Sequence, residues 1–277
     1  MSAFGLLRVA WRELWNRTQA GIILLLAFWY SVVTGAYQSF VASRLGPALP
    51  ASLKQFNPLQ TPGISYSTVL SHLSSGLIVR LLLVYATLIL IVAPFSLAGL
   101  YSGVGETLRG SAPPGFFTFF RLAVHNFWRA LSFILLALAM MVITFALVVA
   151  LTAVLSAAGT VGGLVLAVVM VLAMMVMISL FLYWLGALFY GQGTVLQSLG
   201  EAVGWVFRHF GFTLRFGVLL LGLIIVTSLL LLALMVIPVL GPVIAIVAGG
   251  MIVPAFMAVL AAVYYREGTR SFAKPVI

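Results

Sequence analysis

Few residues in this chain are able to do acid–base or metal chemistry. No two of them have the spacing of a zinc motif, and no nucleophile elbow, phosphate-binding lysine loop or pair of carboxylates within an apolar run is present. Cysteine is absent, which removes disulfides, thiolate metal sites and cysteine nucleophiles. The sequence therefore predicts a protein that is not an enzyme and holds no cofactor or metal. The carboxylates and imidazoles are Glu13, Glu106, Glu201, Glu267, His72, His125 and His209.

One charged residue, Arg80, falls inside an apolar run. An ionisable side chain within a membrane span is costly and is by default a candidate functional group. Arg80 is the fourth residue of the run 77–102, so its guanidinium is close enough to the outer boundary to snorkel into the interface. Two interpretations stay open: an interfacial anchor, or an intramembrane polar site for a ligand or lipid.

Composition places the whole chain in the membrane. Of its 277 residues 64% are hydrophobic and 6% are charged, whereas a soluble domain carries about 25% charged residues. So few charges cannot cover a soluble surface, and intrinsic disorder requires low hydrophobicity. The net charge of +10 is interpreted as contact with anionic lipid headgroups at the inner leaflet, not with nucleic acid.

Six apolar stretches are each long enough to cross a bilayer, which takes about 20 helical residues. The unbroken runs exclude a membrane barrel, whose strands alternate in polarity. They predict an all-α, polytopic bundle within a single transmembrane domain, 1–277, with a longer outer loop at 44–76 and a tight turn at Pro238, Gly241 and Pro242. The first stretch is expected to be a retained span, not a signal peptide. The stretches are 21–43, 77–102, 131–156, 162–190, 214–237 and 243–265.

The basic residues predict the orientation. Eleven lysines and arginines fall in the N-terminal lead, the segments 103–130 and 191–215 and the C-terminal tail, against two, Arg44 and Lys54, on the other side. The positive-inside rule then places both termini in the cytoplasm. Twelve of the 14 basic residues are arginine, which suggests a GC-rich bacterial genome, and hence the bacterial cytoplasmic membrane.

Three segments of the chain resemble one another. They start at Phe4, Phe117 and Ser198, and each reads as an amphipathic lead with arginine and aromatic residues followed by a span. The predicted unit is lead helix, span, outer turn and span. Because two spans return the chain to the same side, the three repeats are parallel. The predicted boundaries are 1–110, 111–193 and 194–268, with a cytoplasmic tail at 269–277.

The leads are predicted to be interfacial, elbow-like helices. In the first, Phe4, Leu7, Trp11, Leu14 and Trp15 form an apolar stripe. A helix with arginine on one face and aromatic residues on another lies in the headgroup plane. It either anchors the following span or docks a partner or anionic lipid. The candidate lipid or partner contacts are Arg8, Arg12, Trp11, Trp15, Arg121, Trp128, Arg129, Arg208 and Trp205.

Glycine, proline and methionine add local expectations. Gly103 and Gly105 are interpreted as a helix end, and Pro94 and Pro254 as kinks or helix ends. A run of methionines is expected to fill the core, with an adaptable apolar groove as the alternative. The run is Met140, Met141, Met170, Met174, Met175 and Met177.

The stretch Gly193–Leu221, GTVLQSLGEAVGWVFRHFGFTLRFGVLLL, and its counterpart at 115–136 support a resemblance. They are similar to bacterial six-span proteins that include the membrane domain found beside glycerophosphoryl diester phosphodiesterases. The resemblance covers most of 100–270 and implies a six-helix bundle with cytoplasmic elbow helices. The chain has no phosphodiesterase domain, so that activity and its site residues do not carry over.

Two functions follow from these observations. The first is a non-enzymatic membrane scaffold, or an accessory subunit that organises lipids or a larger complex with other membrane or cytoplasmic subunits. The alternative is a permease, exporter component or lipid-handling protein, since an apolar cargo needs no charged path. A packed bundle favours the first, and a groove open to lipid favours the second.

Overall fold

The computed structural model describes residues 2–16, 19–45, 75–110, 116–155, 159–191, 193–234, 244 and 247–272. All regular structure within those residues is helical, which confirms the all-α class. Six helices are long and apolar enough to cross a bilayer, as the sequence predicts, and the chain is a polytopic membrane protein. These spans are Ala20–Val41, Leu82–Leu108, Phe127–Leu155, Gly159–Tyr190, Phe210–Ala233 and Ala248–Thr269.

The helices are numbered in chain order. The first five are α1 (Ala3–Leu14), α2 (Ala20–Leu45), α3 (Ser75–Thr87), α4 (Ala93–Leu108) and α5 (Phe116–His125). The next five are α6 (Phe127–Leu155), α7 (Gly159–Leu185), α8 (Val195–Arg208), α9 (Phe210–Leu234) and α10 (Val253–Phe272). Three π-helical turns, at Leu88–Val92, Gly186–Tyr190 and Ala248–Ile252, complete spans two, four and six.

The short helices α1, α5 and α8 lie at one end of the bundle, which we call the basic end. The buried residues gather there: Val104, Trp184, Leu188 and Tyr264 are at most 1% exposed. At the far end the spans present large apolar side chains that the rest of the described chain does not cover, such as Phe145. The protein core therefore lies at the basic end, around α4 and α10, which pack against most of the other helices.

The two glycines interpreted as a helix end lie inside a helix instead. Gly103 and Gly105 are buried in α4, which runs on to Leu108, so that prediction is wrong. A Cβ on Gly103 would meet the Leu26 side chain at 2.7 Å. The missing side chains allow α4 to approach its neighbours closely, which is a packing role that small residues serve in membrane bundles.

Two of the prolines follow a widened helical turn. Pro94 comes directly after the π-helical turn Leu88–Val92, and Pro254 after the turn Ala248–Ile252. Proline lacks an N–H and its ring clashes with the carbonyl four residues earlier. A π-helical turn shifts that carbonyl, so the helix continues through the proline without ending.

The short helices bury a face that the aromatic pattern did not predict. In α1 the face against the bundle is Leu6, Ala10 and Leu14, whereas Phe4 and Trp11, placed in one stripe with Leu14, are 62% and 52% exposed. Small and aliphatic residues pack closely against the spans. The bulky rings stay more than half exposed, and Trp11 contacts α10 through the Phe256 ring, with the centroids 6.0 Å apart. The prediction of a single apolar stripe is therefore wrong: α1 has a packed face and a separate aromatic face.

Several predicted features lie outside the described residues. They are most of the outer loop 44–76, including His72, the turn at 238–242, and the end of the tail.

Candidate functional site

Most of the predicted lipid or partner contacts lie on the surface of the basic end. Arg8, Arg12 and Trp11 are exposed on α1, followed by Trp15 just past its end. The Arg8 guanidinium lies over the Phe4 ring, 5.7 Å from its centroid. The remaining exposed members of the set, on α5, α6 and α8, are Arg121, Trp128 and Arg208.

Two residues of the predicted set are turned inward. Arg129 is half-buried, and its guanidinium donates to the Asn126 side chain at 3.4 Å and to the Gly193 carbonyl. It therefore ties the start of α6 to the segment before α8. Trp205 is only 6% exposed, so its ring is not on the surface where a lipid or partner contact was predicted.

Trp205 is the centre of a buried aromatic cluster. Its ring stacks on Tyr183 with the centroids 5.4 Å apart, and on His209 with the centroids 3.8 Å apart. Its indole Nε1 donates to the Tyr264 hydroxyl at 3.1 Å. The cluster joins α7, α8 and α10, because a buried indole N–H requires an acceptor and the last span supplies it.

A polar cavity opens beside this cluster, between α7, α8 and α10. Its volume is about 480 Å³. Glu201 and Arg208 contribute opposite charges to its wall, and both side chains are exposed. Tyr265 contributes a hydroxyl to the same wall. The cavity combines a carboxylate, a guanidinium and hydroxyls at the end of a membrane bundle.

Two glycines of α8, Gly200 and Gly204, complete the wall of this cavity. A Cβ built on either glycine would meet no atom within 4 Å. The absence of side chains at these positions leaves the cavity open. The sequence-based prediction included Arg208 and Trp205, which both line this cavity, and missed Glu201, Tyr183, Tyr265 and the glycines. The one available signal was the pair of glycines spaced four residues apart on an amphipathic helix.

A second cavity is an apolar groove between α6 and α7. It has a volume of about 640 Å³ and is lined almost entirely by apolar atoms. Met141, Met170 and Met174 line it and are about half exposed. Core filling is therefore the wrong interpretation for these three methionines, and the alternative of an adaptable groove describes them.

Arg80 lies apart from both cavities. It is exposed on α3, two residues before Leu82, where the second span begins. That position suits a side chain that reaches into the interface, and its role stays a prediction. Within the described residues, no three His, Asp or Glu side chains form a group that is able to hold a metal ion.

No protein-family model, curated protein or solved structure matches this chain. The class of protein is therefore set by the fold alone: an α-helical membrane protein with six spans, a compact basic end and a polar cavity at that end.

Proposed function

We propose that this chain is a non-enzymatic membrane scaffold that binds and organises lipid at the basic end of its bundle. We place it in the bacterial cytoplasmic membrane with the basic end and both termini in the cytoplasm, because eleven lysines and arginines cluster on that side. The observation that carries the proposal is the set of large aromatic side chains exposed at the basic end, on the short helices or within a few residues of their ends: Phe4, Trp11, Trp15, Phe117, Trp128 and Phe207.

The packing of the short helices supports this function and the three-repeat organisation that we propose with it. Helix α5 packs on α4, α8 packs on α7, and α1 packs on α10. Each short helix thus lies on the second span of the preceding predicted repeat, and the first closes the ring on the last. In the proposed organisation, the three short helices form a ring at one membrane boundary.

The burial pattern supports the same register in all three helices. Ala10, Ala123 and Ala202 are each 0% exposed and face the bundle. Five residues further along the chain, Trp15, Trp128 and Phe207 are exposed. Exposed aromatic residues at the basic end are what an interfacial belt requires, because these side chains favour the headgroup region.

The proposed aromatic belt is tested by truncating three of its exposed residues together. We expect Trp15→Ala, Trp128→Ala and Phe207→Ala combined to reduce the number of lipids that co-purify in a mild detergent, counted by native mass spectrometry, by at least half. The matched control truncates three exposed residues of the far end: Val142→Ala, Leu147→Ala and Val154→Ala. Equal lipid retention in the two triple variants would overturn the proposal.

The apolar groove favours a second function, the movement of a lipidic cargo. A groove between α6 and α7 that is open at the side and almost free of polar atoms suits an acyl chain. Its methionines adapt to a flexible ligand. A lipid-handling protein that carries a tail in this groove would need no charged path through its spans.

Lipid movement is measurable after reconstitution into vesicles with a fluorescent phospholipid and an external quencher. If the protein moves lipid between the leaflets, the quencher will remove more than the half of the fluorescence that comes from the outer leaflet. Ala173→Trp, which fills the groove from α7, would then slow the quenching of the inner-leaflet lipid at least fivefold. Quenching that stops at half would exclude this second function and leave the scaffold proposal intact.

A further inference from the structure

The polar cavity at the basic end is opened by a departure of α8 from the other two short helices. In the register set by Ala10, Ala123 and Ala202, the positions of Gly200 and Gly204 correspond to Arg8 and Arg12 of α1. In α5 the same positions hold Arg121 and His125. Helix α8 thus carries glycine where its counterparts carry long basic side chains. The open volume beside these glycines is part of the cavity of about 480 Å³.

The charges of the cavity wall suit a ligand that carries both signs. Glu201 and Arg208 are seven residues apart, which is about two helical turns and roughly 10 Å along the axis. Both residues line the same cavity, so a ligand there meets a carboxylate and a guanidinium. A simple anion would be repelled by the carboxylate and a simple cation by the guanidinium. A zwitterion satisfies both groups.

The remaining wall favours a primary ammonium over a quaternary one. The Thr269 hydroxyl donates to the Arg266 carbonyl at 2.9 Å, and its lone pairs remain able to accept. Glu201 and the Tyr265 hydroxyl are further acceptors in the same wall. Trp205 already stacks on Tyr183 and His209, so its π surface is not available as a cage for a quaternary ammonium. Three N–H donors match this set of acceptors better than methyl groups do.

The surroundings of the cavity favour a lipid as the source of this group. Arg208 is followed by a helix that becomes the fifth span, and its neighbour Phe207 is 72% exposed. A guanidinium at a membrane boundary binds phosphate oxygens in a bidentate manner. Acyl chains attached to that phosphate are then able to run along the exposed apolar surface of the adjacent span.

We propose that the cavity bounded by Gly200, Gly204, Glu201 and Arg208 binds the ethanolamine phosphate headgroup of a phospholipid. The ammonium lies against the Glu201 carboxylate and the hydroxyls of Tyr265 and Thr269, and the phosphate lies against the Arg208 guanidinium. This inference rests on the proposed lipid-binding function and names the lipid class that one site selects.

The test is a lipid titration of the purified full chain, followed by native mass spectrometry. The probes are phosphatidylethanolamine, phosphatidylcholine and phosphatidylglycerol with identical acyl chains, and free O-phosphoethanolamine. We expect one site at which phosphatidylethanolamine binds at least tenfold more tightly than the other two lipids. Free O-phosphoethanolamine is expected to compete only weakly. If it competes as well as the lipid does, the lipid source is overturned.

Four variants locate the site. Glu201→Gln is expected to weaken the binding of phosphatidylethanolamine at least tenfold. The binding of phosphatidylglycerol is expected to stay unchanged or become tighter, because the repulsion of an anion is removed. Arg208→Gln is expected to weaken the binding of both lipids. Gly204→Leu fills the cavity and abolishes the selective site. Its matched control is Gly211→Leu on α9, where a Cβ also meets no atom within 4 Å, and this control retains the site.

The outcomes separate this inference from the function on which it rests. Wild-type protein that retains lipids without preference for ethanolamine overturns the inference and leaves the scaffold proposal standing. A selective site that survives Gly204→Leu also overturns it. Wild-type protein that retains no lipid at all overturns the proposed function as well.

Discussion

The Nη2 atom of Arg266 lies 3.1 Å from the Glu13 Oε1 atom, which joins the first helix of the chain to the last. Arg266 also lies 3.5 Å from Glu267, so one guanidinium serves two carboxylates. Both side chains of the Glu13–Arg266 pair are only 20% exposed, which limits screening by water. The pair therefore reinforces the packing of α1 against α10 at the basic end.

Breaking this pair is expected to destabilise the bundle modestly. Glu13→Gln leaves Arg266 its second partner, so the loss is about 1 kcal/mol, near the upper end for partly exposed ion pairs. For a chain of this size that corresponds to a fall in Tm of about 2–4 °C. A thermal melt in mild detergent measures it, with Glu13→Gln, Arg266→Gln and the double variant forming a cycle. Additive losses would show that the two residues do not interact.

Close backbone packing is expected to make Gly186 intolerant of any side chain. A Cβ at this position would lie 2.1 Å from the Ala261 carbonyl oxygen. Gly186→Ala therefore forces the fourth and sixth spans apart and is expected to cost about 1–3 kcal/mol or more. Gly222→Ala is the matched control, since a Cβ there meets nothing within 4 Å. The stability of both variants is measured as the fraction of protein that elutes as a single folded species after heating. A control as unstable as the variant would contradict this explanation.

The hydrogen bond between Trp205 and Tyr264 is expected to contribute to the stability of the basic end. Trp205→Phe removes the indole donor and leaves the Tyr264 hydroxyl without that partner, at a cost of about 1–3 kcal/mol for a buried polar group. Tyr264→Phe removes the acceptor. Tm values of the single and double variants measure the coupling. If the double variant loses as much stability as the two single variants combined, or more, the bond does not stabilise the fold.

The predicted orientation is tested with single cysteines, for which the cysteine-free chain is a clean background. Thr160→Cys, at the exposed start of α7, is expected to react with an impermeant thiol reagent added outside the cell. His125→Cys, exposed at the basic end, is expected to react only after the membrane is opened. The reverse pattern would place the basic end outside and invert the proposed topology.

Local composition was sufficient to predict the six spans and the all-α class, because crossing a bilayer depends on the length and polarity of a continuous segment. It also predicted that Arg8 and Arg121 lie on the surface of the short helices and that Trp128 is exposed at the start of the following span. These properties depend on neighbours along the chain. The boundaries of the spans differ from the predicted ones by a few residues. Span two, for example, continues through Gly103 and Gly105 to Leu108.

The tertiary structure decided which face of each short helix is buried and where a cavity remains. Trp205 and Trp128 were both predicted to lie on the surface, yet one is buried against Tyr183 and Tyr264 and the other is 73% exposed. The difference depends on which distant span passes beside each ring. Glu201 and Tyr265 meet for the same reason, across 64 residues of sequence. Contacts between segments this far apart follow from the packing of whole helices, which no local pattern specifies.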